Sequence, residues 1–256
     1  MQLVDSHCHL DASEFDVDRD AVIARARAAG VRWQVVPAIN AEGWPKLRDI
    51  CAADDGLHPA YGLHPMYLSS HRGEHLHALE EWIAREKPVA VGECGLDYFV
   101  QGLDHDAQQR YFDAQLAIAR DADLPVVVHA RRAVDAVIAA IRKHAPVRGV
   151  VHSFGGSAEQ ARQLQDLGFL VGLGGPVTYE RANRLRKLAA TLPIEQLLLE
   201  TDAPDQPDAL IRGQRNEPAR LTTVLEVIAE LRGQDPANIA AATTHNASKL
   251  FALPAD

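Results

Sequence analysis

The sequence predicts an α/β fold, a (β/α)8 TIM barrel, with residues 1–256 forming one domain. Three observations lead there. Short β-branched runs alternate with longer amphipathic stretches eight times, which is the chain order of such a barrel. The C-terminal ends of those runs carry histidines and carboxylates, and that is the end where a barrel keeps its chemistry. The length, 256 residues, matches the about 250 residues typical of the architecture.

Taken in order, LVDSHCH from Leu3 ends in His7 and His9. Side chains alternate along a strand, so these two point one way and Cys8 the other. WQVVPA from Trp33 follows, then HPAYGLHP from His58, which ends in His64. PVAVGECGLD from Pro88 carries Glu93, LPVVVHA from Leu124 carries His129, and GVVHSF from Gly149 carries His152. FLVGLGG from Phe169 ends without such a residue, and LLLETDAP from Leu197 reaches Asp202. Between the runs lie helical patterns such as RDAVIARARAAG from Arg19, HDAQQRYFDAQLAIARDA from His105 and SAEQARQLQDLG from Ser157, several closed by glycine. A doubly wound open sheet has a similar order. It would leave the polar strand ends without a common location, and no G-x-G-x-x-G follows the first run.

Composition narrows the function. Hydrophobic residues make up 47% and charged residues 24%, as in ordinary globular chains. No apolar run approaches the roughly 20 residues that cross a bilayer. The first residues lack the basic and apolar segments of an export signal, so the expected location is cytoplasmic, with no membrane partner. The cysteines, Cys8, Cys51 and Cys94, lack C-x-x-C spacing and read as free thiols. A net charge of −9 disfavours a broad duplex-coating surface, though not recognition of a nucleic-acid end.

A single strand-end histidine is more often a cap than a ligand. Seven ligand-type residues on one rim (His7, His9, His64, Glu93, His129, His152 and Asp202) favour a metal site. His71, His75, His77, His105 and His144 fall in loop or helix patterns and are expected to be solvated, His58 begins its strand at the opposite end, and His245 reads as packing or capping. Alternation turns Cys8 and Cys94 away from the rim. Asp97 is expected chiefly to order a loop. Glu200 and Asp5, one layer below Asp202 and His7, are candidates to support the ligands; Glu200 should be paired with Arg or His or displaced by a bulge.

Imidazoles with carboxylates suit Zn²⁺, Mn²⁺, Fe²⁺ or Co²⁺, and Mg²⁺ prefers more oxygen ligands. Four histidines and two carboxylates exceed one open tetrahedral site. They suit two ions sharing a carboxylate, with Glu93 the natural bridge. Paired ions about 3.5–4 Å apart acidify water and clamp a phosphoryl or carbonyl oxygen, so the reaction class is hydrolysis.

DSHCHL at Asp5, GLHP at Gly62, GECGLDY at Gly92, VVHAR at Val127, VVHSF at Val151, LLLETDAP at Leu197 and RNEP at Arg215 occur in an order that resembles the TatD-type metal-dependent deoxyribonucleases, among the amidohydrolase-like barrels. The resemblance spans nearly the whole chain. It implies His7, His9 and Asp202 on one ion, His129 and His152 on a second, and Glu93 shared, with Mg²⁺, Mn²⁺ and Zn²⁺ all open. Glu93 stands where many amidohydrolases have a carboxylated lysine, which favours the TatD branch. GGPVTYERA from Gly174 departs from the pattern, with Glu180 where proline is expected.

The implied activity is hydrolysis of DNA phosphodiesters from a 3′ end, on DNA ends or single strands. Asp202 would take the water proton, Glu93 would bridge, and His64 would donate to the phosphate. Arg131 and Arg132 follow His129 and can pair with phosphate oxygens, or can simply begin the next helix in solvent. The rivals are a small-molecule amide or ester hydrolase on the same rim, and a non-catalytic metal-dependent binding protein.

Overall fold

The computed structural model describes residues 2–254. Eight parallel strands follow one another around a single sheet in chain order: β1 (Leu3–Asp5), β2 (Val31–Pro37), β3 (Leu57–Tyr61), β4 (Ala90–Asp97), β5 (Val126–Arg131), β6 (Gly149–Val151), β7 (Phe169–Leu173) and β8 (Leu197–Leu199). The seam between β8 and β1 is closed just past the strands, where the amide of Ser6 donates to Leu199 and that of Asp202 to His7. Helices α1 (Arg19–Ala28), α2 (Trp44–Ala52), α3 (Glu74–Glu86), α4 (His105–Asp121), α5 (Val134–His144), α6 (Ala158–Asp166) and α7 (Asn183–Thr191) occupy the successive crossovers, and α8 (Leu221–Arg232) and α9 (Pro236–Phe251) follow the last strand. The eight-stranded TIM barrel expected from the alternating runs is the observed fold.

Strand alternation divides the core into two layers. Val4, Trp33, Val35, Ala60, Ala90, Val127, Val150 and Leu198 point into the barrel, where Ala247, Leu250 and Phe251 of α9 close the end at which the strands begin. The residues of opposite parity, among them Leu3, Val36, Val126, Val128, Val151, Leu197 and Leu199, pack outward against the helices. A fully buried aliphatic side chain contributes about 1.5–3 kcal/mol, so these two layers hold the rim rigid. Helix ends obey local chemistry. Ser157 and Gln160 form a reciprocal capping box at α6, and Asp104 caps α4 through the amide of Ala107.

Several histidines differ from expectation. His71 and His75 are buried rather than solvated, and His144 is half-buried with Nε2 3.1 Å from Asp113. His71 donates from Nε2 to the carbonyl of His64 at 2.9 Å, so it braces the loop after β3. His77 and His105 are exposed as expected, the latter stacked on Tyr98. His245 is exposed on α9 and neither packs nor caps, because its helical position faces away from the barrel. Glu180 is exposed in the turn before α7.

Candidate metal centre

Strict alternation does not by itself deliver the site. Val4 and Ala90 point inward, so His7 and Glu93, of opposite parity, should point outward. Two irregularities reset the phase. The chain bends at Ser6 directly after β1, and the β4–β5 register shifts between Val91 and Cys94. The second irregularity requires glycine: Gly92 has φ +145°, and a Cβ there would stand 2.6 Å from the carbonyl oxygen of Val127. Beyond these points His7, His9 and Glu93 face the barrel axis. Cys8 and Cys94 face the outer core as expected, their Sγ atoms near the carbonyls of Val35 and Val127. His64, His129, His152 and Asp202 keep the inward phase of Ala60, Val127, Val150 and Leu198.

Five rim imidazoles converge on Glu93, and Asp202 joins them through His7 and His9. Its Oε2 lies 3.3 Å from His7 Nε2 and 3.4 Å from His9 Nε2. Its Oε1 lies 2.9 Å from His64 Nε2, 3.1 Å from His129 Nδ1 and 2.8 Å from His152 Nε2. Asp202 Oδ1 stands 3.4 Å from His7 and 3.7 Å from His9. Three sets of ligand atoms therefore lie mutually within 4.8 Å: His7, His9 and Asp202; His7, Glu93 and His152; His64, Glu93 and His129. One oxygen of Glu93 serves each side of the cluster. A buried carboxylate ringed by five imidazoles, each aiming a ring nitrogen at the same small volume, is a donor set that fits divalent cations.

Hydrogen bonds fix which nitrogen of three rings carries a lone pair. Nδ1 of His9 donates to the Pro37 carbonyl at 3.1 Å, which leaves Nε2 free to ligate. Nε2 of His129 donates to Asp97 at 2.9 Å, which leaves Nδ1 free. His64 is the reverse case. Its Nδ1 accepts from the amide of Met66 at 3.2 Å, so in the neutral ring the proton sits on Nε2 and is donated to Glu93. Burial lowers the pKa of His64 to about 4, which keeps that ring neutral.

Burial alone would raise the carboxyl of Glu93, but His64, His152 and His7 together hold it well below the usual range. Burial would also raise Asp97; the bond from His129 and the amides of Val100 and Phe99 outweigh it and bring that group to about 2. Asp97 thus orders both the loop and the ring of His129. Glu200, raised by burial to about 8, pairs with neither arginine nor lysine among the described residues. It accepts the amide of Ser153, and Nδ1 of His152 stands 3.8 Å away. Asp5 accepts from the amide of His7 and from the amide and hydroxyl of Thr201, so it clamps β1 to the segment after β8 rather than orienting an imidazole.

The cluster opens into a cavity of about 1370 Å³ whose walls include Tyr67, Arg131, Arg132, Arg184 and Gln206. Arg131 and Arg132 are exposed there, their guanidinium carbons 3.7 and 4.7 Å from the ring centre of Phe99. Among the described residues no carboxylate pairs with either. Tyr67 in the cavity wall and Phe99 beneath the two guanidiniums, both about 40% exposed (41% and 42%), were not singled out in the sequence. Neither carries a motif, and an isolated aromatic in a loop looks the same whether buried or displayed.

The family profile described as TatD related DNase matches residues 4–252. The chain belongs to the TatD family. This TatD-family chain is 40% identical to the uncharacterized metal-dependent hydrolase YjjV of Escherichia coli strain K12, over 99% of each chain. The crystal structure of that YjjV superposes with a TM-score of 0.94 at 39% identity, covering 98% of both chains. The 3′-5′ ssDNA/RNA exonuclease TatD of Pantoea ananatis is 34% identical, over 98% of this chain and all of that one. The chain is accordingly a metal-dependent hydrolase of the TatD family. No described helix is long and apolar enough to cross a membrane.

Proposed function

We propose that this hydrolase is a deoxyribonuclease that removes nucleotides from the 3′ end of single-stranded DNA, with two divalent ions held by His7, His9 and Asp202 on one side and His129 and His152 on the other, Glu93 between them. Mg²⁺, Mn²⁺ and Zn²⁺ are all compatible, and the donor set favours the nitrogen-binding members. Ions bound there would supply positive charge for a phosphate oxygen and acidify the attacking water. The chain's own groups do the rest. Asp202 stands at the rim to accept the water proton. His64, which holds its proton on Nε2, donates to a phosphate oxygen or to the departing 3′ oxygen once Glu93 is otherwise engaged. Arg131 and Arg132 bind the flanking phosphates.

One observation carries the choice of substrate. Two unpaired guanidiniums and the ligand cluster share a single open cavity of about 1370 Å³, larger than the ~300–1,000 Å³ of ordinary small-molecule sites. A phosphodiester polymer end needs both charge and room. The relative named as an ssDNA/RNA exonuclease supports the same reading. The test is incubation of metal-loaded protein with 5′-end-labelled single-stranded oligonucleotides. A ladder shortening from the 3′ end with release of 5′-mononucleotides is expected. Intact oligonucleotides alongside hydrolysis of a cyclic amide or small ester would overturn the proposal in favour of the amidohydrolase reading.

A further inference from the structure

The carboxylate of Asp202 is held from behind. Its Oδ1 faces His7 and His9, while Oδ2 accepts a hydrogen bond from the side-chain amide of Gln206. The amide oxygen of Gln206 in turn accepts from Ser153 Oγ at 2.9 Å, and the amide of Ser153 donates to the buried Glu200. The orientation of the amide is settled by its neighbours. An ionised carboxylate can only accept, so the nitrogen of Gln206 must face Asp202 and its oxygen must face the hydroxyl.

A second observation is independent of these bonds. Ser153, Asp202 and Gln206 all adopt left-handed backbone conformations, with φ of 44°, 57° and 48°. None of the three is glycine, and such conformations persist only where the surroundings enforce them. Asn216 supplies part of that enforcement. Its side-chain amide donates at 2.8 Å to the carbonyls of Thr201 and Asp205, which ties the segment between them to the RNEP motif. The loop is thus held up to the residue before Gln206, and on its other side the hydroxyl of Tyr179 donates to the carbonyl of Pro207 at 2.9 Å.

We propose that Gln206 is a positioning residue that holds Asp202 by Oδ2, so that only Oδ1 is presented to the ion beside His7 and His9, with Ser153 fixing the orientation of the Gln206 amide. This rests on the two-sided metal centre proposed above. Without the amide, the carboxylate is free to rotate and to meet the ion through either oxygen or both. Loss of such supporting hydrogen bonds typically costs 10–100-fold in metal affinity.

The experiment titrates the metal-free full chain with Co²⁺, read by calorimetry and by the visible absorption of the bound ion. Wild type, Gln206→Met and Ser153→Ala are compared, each with its melting temperature before metal is added. Methionine keeps the length of the side chain but has no N–H. The expected result for Gln206→Met is a 10–100-fold weaker Co²⁺ step and an altered absorption spectrum, at an unchanged metal-free melting temperature. Ser153→Ala should shift both readouts in the same direction by less. Wild-type affinity and spectrum in Gln206→Met overturn the positioning role and leave the metal centre intact. If Gln206→Met is unstable before metal is added, Ser153→Ala decides, and a wild-type titration there overturns the proposal. A wild-type chain that takes up no Co²⁺ overturns the metal centre itself.

Discussion

His64 and His129 are both imidazoles within about 3 Å of the same oxygen of Glu93 (2.9 and 3.1 Å), yet their second nitrogens make opposite bonds. His129 donates to Asp97 and turns a lone pair toward the cluster; His64 accepts from Met66 and turns a proton toward it. The expected consequence is a division of labour. His64→Ala should retain its metal content, measured by elemental analysis after gentle purification, and lose turnover by ~10²-fold, the scale of general acid catalysis. Lost metal would make it a ligand, and unchanged turnover would leave it a brace for the turn at Pro65. Glu93→Ala should bind fewer ions than wild type, because one carboxylate faces both sides; full occupancy would remove the bridging role. Replacing Arg131 and Arg132 together by alanine should weaken binding of a single-stranded oligonucleotide and flatten its salt dependence. Each lost phosphate contact removes about 0.7 from the slope of log affinity against log salt. An unchanged slope would mean that the two guanidiniums only cover Phe99.

Helix α4 shows how an element can serve a site it does not touch. Gln115 bonds both the amide and the carbonyl of Leu63, at 2.7 and 3.1 Å, and Gln108 bonds the amide and carbonyl of Asp97, at 2.9 and 3.1 Å. Each glutamine replaces a neighbouring strand for backbone that the barrel leaves unpaired next to His64 and near His129. Both side chains are fully buried. Gln115→Leu keeps the volume but orphans two buried polar groups, each costing about 1–3 kcal/mol. Denaturant melts should show that loss, with an unchanged transition showing that water fills in. On β7 the constraint is steric. A Cβ at Gly172 would meet Glu200 Oε2 at 1.9 Å, so Gly172→Ala should displace Glu200 and destabilise the chain, and should do so far less in a Glu200→Ala background.

The whole molecule gathers its candidate ligands at one end of a barrel whose other end is filled by α9, so bound ions and folding stability should be linked. An ion that binds only the folded chain, at 100 times its Kd, adds about 2.7 kcal/mol. For a chain of this size that corresponds to a rise in Tm of roughly 5–10 °C. A thermal scan with and without chelator checks it, and identical curves would mean that the rim holds no ion in the folded protein. The barrel and the clustering of candidate ligands on its rim were legible in the amino-acid sequence, because alternation and helix periodicity are local consequences of backbone geometry and the strand ends carry the polar residues. The phase of those candidate residues was not. His7 and Glu93 face inward only because of the bend at Ser6 and the register shift beyond Val91, and a shift in register exists only once neighbouring strands pair. The burial of His71, the bonds made by Gln115, and the grip of Gln206 on Asp202 were equally out of reach. Gln115 reaches Leu63 from another crossover, while His71 and Gln206 meet His64 and Asp202 within irregular loops; neither kind of contact leaves a period in the chain, so tertiary packing decided which groups met.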